Sequence, residues 1–289
     1  MGSICRANRG WDWYHAHMNR AIQGVRVLAA VWVVAALLLH VSRAQAATLG
    51  LVLIHGKQGR PAQFDKLAAV FNEAGWLTER PEMCWSRRRI YDRTYLDCLA
   101  EIETAVARLR ARGASQVVLV GMSLGGNAVL AYGARHDDID GVIALAPAHA
   151  PEFISRRAEV VESLDKARAM IAAGRPDARE SFADTNTGEG TPFYGFSVTT
   201  TARIYWSFFA PDSPAVMPAN AARLRTPLLL VSGTMDPTQR GARVIYDRVP
   251  GHPMNRFVSV DATHMDTPAA GRAAMLDWLH DLAGQSHAR

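Results

Sequence analysis

Gly121-Met122-Ser123-Leu124-Gly125 places a serine between two glycines. A nucleophilic hydroxyl needs that spacing when it stands at a turn too sharp for bulky flanking side chains. A serine hydroxyl is a poor nucleophile near neutral pH and becomes a good one beside a base. Two downstream residues supply the missing chemistry. His264 could take the proton, and Asp236 could hold the imidazole in one tautomer and stabilise the cation that forms. The reaction open to such a set is acyl transfer. Each member also has a purely structural reading. Ser123 could cap a helix, Asp236 before Pro237 could initiate a turn, and His264 could be a loop histidine. Asp261 and Asp266 are rival acids.

The elements that must position these residues are readable around them. The β-branched apolar run 116–120 before the serine reads as a buried strand, and 126–132 after it is rich in helix formers. A second apolar run, 228–231, leads into Asp236, and a third, 256–260, ends shortly before His264. Asp261 belongs to the last of these strands and Asp266 follows the histidine, so both fit the arrangement less well. Strands are expected over 48–55, 75–80, 116–121, 141–146, 227–232 and 256–261, with helical patterns between them, notably 61–74 and 96–112. Such alternation predicts an α/β fold, a mostly parallel, doubly wound sheet of about six strands with helices on both faces. Between Ala146 and Pro227 lie about 80 residues without a clear strand. There 158–173 reads as a helix, and a polar stretch, 184–191, carries Gly188 and Gly190 and is the expected mobile segment. The aromatic residues Phe193, Tyr194, Phe196, Tyr205, Trp206, Phe208 and Phe209 follow. They could roof an apolar pocket or pack this insert onto the core.

With its elbow motif and the chain order Ser123, Asp236, His264, the sequence resembles the serine-nucleophile branch of the α/β-hydrolase superfamily over most of residues 48–283. The resemblance implies an oxyanion hole made by the amide of Leu124 and one from the loop Ile54-His55-Gly56-Lys57-Gln58-Gly59. Lys57 is the expected second donor and Gln58 the alternative. It implies that His55 supports this loop. His55, His149 and Trp206 are the candidates for the pocket wall. Family members commonly carry two strands before the loop-bearing one, so a compact version is expected. The core should comprise 47–150 and 226–289, with a helical cap insert at about 151–225. A serine at the elbow sets the chain apart from branches with an aspartate or cysteine nucleophile. The implied activity is serine hydrolysis of a small-molecule carboxylic ester, with a peptidase or amidase as the alternative on the same triad. A non-catalytic binding protein of this fold is the alternative of another class. No metal or other cofactor is called for.

The start of the chain speaks to compartment. Residues 27–39 are 13 consecutive apolar residues, preceded by Arg20 and Arg26 and followed by Arg43, Ala44, Gln45 and Ala46. A bilayer-spanning helix needs about 20 apolar residues. The pattern fits a secretory signal peptide over 1–46, cleaved after Ala46, with Met18 an alternative start and an uncleaved anchor the alternative reading. Removing 1–46 takes away five of 32 basic and one of 27 acidic residues. The remaining 27 and 26 nearly balance, which argues against a nucleic-acid partner. Of three cysteines, Cys5 falls in this segment. Cys84 and Cys98 remain and are expected to pair in a periplasmic or secreted domain, free buried thiols being the alternative. Arg87, Arg88 and Arg89, in the loop that bond would close, could bind an anion or simply be solvated.

Overall fold

The computed structural model of the chain describes residues 48–188 and 191–285. The signal peptide expected over 1–46 and Gly190 of the expected mobile segment lie outside them. Of the insert's aromatic residues, the side chains of Phe193 and Tyr194 also lie outside them.

Chain order is β1 (Leu49–Ile54), a 3-10 turn (Pro61–Phe64) leading into α1 (Asp65–Glu73), β2 (Leu77–Glu79), α2 (Tyr95–Ala111), β3 (Gln116–Met122), α3 (Leu124–Gly133) and β4 (Gly141–Leu145). The insert holds α4 (Pro151–Ile154), α5 (Ala158–Ala172), β5 (Arg179–Gly188), β6 (Thr191–Thr201), α6 (Ala202–Phe209) and α7 (Met217–Ala221). The chain returns through β7 (Leu228–Gly233), α8 (Gln239–Tyr246), β8 (Arg256–Val260), α9 (Thr267–Ala270) and α10 (Arg272–Gln285). Six strands form one sheet in the order β2-β1-β3-β4-β7-β8, and every pairing in it is parallel.

A parallel sheet is covered on both faces, so its strands are apolar throughout and alternate between two cores. Val52, Ile54, Val117, Leu119, Val142 and Leu230 pack with α2 and α3 on one face. Leu51, Leu53, Val118, Val120, Ile143 and Leu229 pack with α1 and α10 on the other. Strand β2 is shorter than the expected 75–80 and half-buried, as befits an edge. The strand order reverses between β1 and β3. At such a switch point the loops leaving the carboxyl ends of neighbouring strands diverge and open a crevice. The loop after β1 and Ser123 after β3 flank that point.

The insert differs from the expected helical cap. Beside its helices it carries a two-stranded antiparallel hairpin of β5 and β6, with Asp184 paired to Phe196 and Phe182 to Val198. The segment read as mobile is therefore, up to Gly188, strand. The aromatic residues of α6 pack inward rather than roofing a cavity: Tyr205 stacks on Phe209 and Phe182, and Tyr91 meets Phe208 edge-on. Cys84 and Cys98 are buried at disulfide distance, with their Cα atoms 5.7 Å apart. Among the described residues no helix is long and apolar enough to cross a membrane.

Candidate active site

Ser123 occupies the turn between β3 and α3 with φ +58° and ψ −119°. An L-residue held there costs roughly 1–3 kcal/mol and persists only when its surroundings dictate it. They do so here. The Ser123 amide donates to Leu145 O, and its carbonyl accepts from Asn127 and Ala148. The flanking glycines are steric necessities. A Cβ on Gly121 would lie 2.1 Å from Gly125 O, and one on Gly125 would lie 2.1 Å from Ile54 O. The Ser123 side chain makes no capping bond to its own helix and lines a cavity of about 320 Å³.

Strands β7 and β8 deliver the acid and the imidazole. Their loops are stitched together by Thr234 N–H to Val260 O and Met235 N–H to Ala262 O. His264 Nδ1 lies 2.8 Å from Asp236 Oδ2, which leaves Nε2 as the ring atom open to a third group. The other carboxylate oxygen of Asp236 accepts from the Thr238 amide and hydroxyl, each at 2.8 Å. Burial pushes the Asp236 carboxyl up, but the hydrogen bond and charge of His264 and the Thr238 bonds outweigh it and hold the group below the usual carboxylate range. Asp261 bonds Thr234 and Asp266 bonds Thr263; both are exposed, and neither reaches the histidine.

Two amides face the question of oxyanion binding. Leu124 is the first residue of α3, and the first N–H groups of a helix have no acceptor within it. In the loop after β1, Gly56 N–H donates to Gln63 Oε1 at 3.1 Å and Gln58 N–H donates to Trp85 O at 3.0 Å. The alternative donor, Gln58, is thereby engaged. No hydrogen bond among the described residues takes up the Lys57 amide between them. The loop abuts the elbow: a Cβ on Gly56 would lie 3.1 Å from Ser123 Cβ.

The three pocket candidates fall differently. His149 is in the cavity wall, with φ +64° and Nε2 3.0 Å from Phe208 O. Burial, then the charge of Lys57, holds it well below the usual histidine range against that backbone bond. The neutral ring therefore donates Nε2–H to Phe208 and leaves Nδ1 an acceptor without a partner among the described residues. His55 is not in the wall. It is buried beneath the loop, Nδ1 against Gly56 O and Nε2 accepting from Met83 N–H. Trp206 is not there either, because its face of α6 packs half-buried on the core.

Sequence reading missed three polar residues. Glu152 lines the cavity, and burial lifts its carboxyl to about 7. Asn127, buried within α3, donates to His149 O and Ala215 O at 2.7 and 2.8 Å and accepts from Tyr95, tying insert to elbow helix. Asp184, fully buried in β5, pairs with Lys57. Only Asn127 left a trace in sequence, as a polar residue inside an apolar helix. Beside Lys57, Thr185, Thr238 and Arg240, the cavity wall is mostly apolar, drawn from the insert (Phe153, Ile154, Met217) and from α8 (Val244, Ile245).

A family model described as the alpha/beta hydrolase fold matches residues 50–201. Among solved structures, the chain is similar to a monoacylglycerol lipase of Paleococcus ferrophilus at 19% identity. That match covers 81% of this chain and 94% of the other, with a TM-score of 0.59. It is similar to the alpha/beta hydrolase GrgF of Penicillium sp. sh18 at 16% identity, covering 83% and 91% with a TM-score of 0.60. Est1E of Butyrivibrio proteoclasticus, solved with ferulic acid, matches at 17% identity over 81% and 91%, with a TM-score of 0.53. Comparison with curated proteins gives no match.

Proposed function

The chain belongs to the α/β-hydrolase family, and on that footing we propose that it is an exported serine hydrolase acting on carboxylic esters. Ser123 is the nucleophile, His264 the general base and acid, and Asp236 the residue that orients the imidazole. The observation that carries this reading is the buried 2.8 Å contact of His264 Nδ1 with Asp236 Oδ2. It accompanies a serine held at a strained elbow, and that serine lines a cavity whose wall also includes Pro237 and Thr238, next along the chain from Asp236.

His264 Nε2 takes the Ser123 proton as Oγ attacks the ester carbonyl carbon. The carbonyl oxygen becomes an oxyanion, held by the amides of Leu124 and Lys57. One such donor is worth about 2.7–4 kcal/mol in the transition state. The intermediate collapses, the C–O bond to the alcohol breaks, and the imidazolium returns its proton to the departing oxygen. Water, deprotonated by His264, then attacks the acyl-enzyme; the bond to Ser123 Oγ breaks, the imidazolium returns the proton to that oxygen, and the acid is released. The apolar wall favours an uncharged acyl group over a peptide. Residues 1–46 are the export signal, cleaved after Ala46, and 151–225 form the cap over the core. The Cys84–Cys98 pair fits an oxidising compartment.

The test is a fluorophosphonate probe on the protein lacking residues 1–46, beside p-nitrophenyl esters of increasing acyl length and aminoacyl anilides. Labelling at Ser123 and ester turnover, both lost in Ser123→Ala, are expected. Full activity in that variant refutes the assignment, and faster anilide than ester cleavage moves the protein to the amidases.

A further inference from the structure

Lys57 is the residue whose backbone amide the proposed mechanism uses and whose side chain it does not. That side chain runs into the insert. Its ammonium lies 2.6 Å from Asp184 Oδ1 and 2.6 Å from Thr185 O, both in β5. The pair is dry: the side chains are 5% and 0% exposed. Asp184 also accepts from Tyr91 Oη at 2.9 Å and from the Thr185 amide at 2.6 Å, so both of its oxygens are bonded. Phe209 lies beside the ammonium, its ring centre 5.6 Å away.

A buried ion pair is weak evidence for stability, since desolvating both charges offsets most of their attraction. What a buried pair held by several hydrogen bonds supplies is a fixed geometry. The loop needs one. The amides of Gly56 and Gln58 are anchored, to Gln63 and Trp85. Gln58 sits at φ +51°. Between them the Lys57 amide must stay unbonded to receive an oxyanion, so no bond of its own can orient it. Its side chain is what remains to hold the residue.

We propose that Lys57 is a positioning residue for the oxyanion hole: its ammonium, locked onto Asp184 and the Thr185 carbonyl of the insert hairpin, sets the direction of its own backbone amide beside Ser123. The hairpin is then part of the catalytic apparatus rather than a passive cover. This rests on the hydrolase reading above and adds to it a residue pair that reading does not need.

The experiment measures p-nitrophenyl ester turnover in Lys57→Met, Asp184→Asn and the double variant. Each keeps the backbone amide. Lys166→Met is the control, because it removes a different tether of the hairpin, Lys166 Nζ to Ser181 O at 2.6 Å, on an exposed side. Ser123→Ala is run alongside, and folding is followed by circular dichroism. Misplacing a catalytic group by an ångström costs on the order of a hundredfold, so kcat should fall about 10- to 100-fold in both single variants, with KM within about threefold. The inhibition constant of a trifluoromethyl ketone, which binds as an oxyanion, should rise in step with the fall in kcat. Because the two residues act as one unit, the double variant should be little worse than either single one. Lys166→Met should keep wild-type kcat. A folded Lys57→Met or Asp184→Asn with unchanged kcat, while Ser123→Ala is inactive, overturns the positioning role and leaves the hydrolase reading intact. An equal loss in Lys166→Met also overturns it, since the hairpin then matters only as a whole. Asp184→Asn, nearly the same shape as aspartate, decides the matter if Lys57→Met fails to fold. Turnover that survives in Ser123→Ala removes the assignment of Ser123 as nucleophile, on which this proposal rests.

Discussion

Replacing Cys84 and Cys98 together by alanine is expected to destabilise the protein by about 3 kcal/mol. The two cysteines are 14 positions apart, so a bond between them closes a loop of 15 residues. Chain-entropy bookkeeping for a loop of that length gives roughly 3 kcal/mol of destabilisation when the cross-link is lost. For a domain of this size each kilocalorie moves the melting temperature by about 2–4 °C, so a fall of about 6–12 °C is predicted. Location adds a functional consequence. The segment 83–87 holds the loop after β1, the proposed oxyanion loop, through four contacts: Met83 N–H to His55 Nε2 at 3.1 Å, Trp85 Nε1–H to His55 O at 3.0 Å, Gln58 N–H to Trp85 O at 3.0 Å and Arg87 N–H to Gly59 O at 3.1 Å. Loosening that segment should slow ester turnover while Ser123, fixed by its own backbone bonds, still reacts with a fluorophosphonate. The assay is thermal unfolding of the wild type and the double variant, each with and without reductant, together with intact-mass measurement after alkylation. Reductant should lower the melting temperature of the wild type and leave the variant unmoved. Two freely alkylated thiols in oxidised, folded wild type, or equal melting temperatures for the two proteins, would refute the reasoning.

Three further outcomes follow from the site and the chain start. Asp236→Asn should lower kcat by about 10³–10⁴-fold, because an amide at that place favours the wrong imidazole tautomer; a nearly neutral Asp236→Asn beside a damaged Asp261→Asn would show the acid to be misassigned. Glu152, lifted from 4.5 to about 7, binds its proton more tightly folded than unfolded, so stability should fall as pH rises through that window. The cost is complete above it, about 2–3 kcal/mol after some solvent screening. Glu152→Gln should recover that amount in urea unfolding at about pH 8 and almost none near pH 4, and an equal gain at both would mean the effect is packing. N-terminal sequencing of exported material should begin at Ala47, and a cytoplasmic product retaining residues 1–46 contradicts the signal.

Reading the sheet from sequence works where each strand is buried on both faces, because every residue of β1, β3, β4 and β7 is then under the same pressure to be apolar. The elbow is readable for a different reason. Gly121 is required by a contact of 2.1 Å with the backbone of Gly125, within the same motif, so that requirement is written locally; Gly125 answers Ile54 O on the adjoining strand, also at 2.1 Å. Asp236 and His264 could be nominated from sequence because they lie three and four residues beyond strands that announce themselves. The hairpin of β5 and β6 is not, and the cause is in its inward positions. Phe182 and Val198 alternate as a strand should, but the next inward residues are Asp184 and Thr200. A period-2 pattern scored on apolar residues loses the strand at that point.

Those two polar residues can be buried only because partners arrive from elsewhere. Asp184 meets Lys57 across 127 residues of sequence and Tyr91 across 93, and the Thr200 hydroxyl donates to Tyr91 O across 109. A buried polar group without a partner is costly, so its acceptability is a property of the folded arrangement and of no window of sequence. The same holds for Asn127, whose amide joins His149 and Ala215, and for His149, read as a pocket residue with no sign of its bond to Phe208. Apart from Glu152 in the cavity wall, the residues that escaped the sequence are therefore the ones that join insert to core. If the hairpin sets the direction of the Lys57 amide, swapping the insert for one of equal length and different fold should cost turnover even when Ser123, Asp236 and His264 are untouched. The determinants of activity in this chain then divide in two: strand-end residues that a motif can locate, and cross-chain polar pairs that only the assembled fold defines.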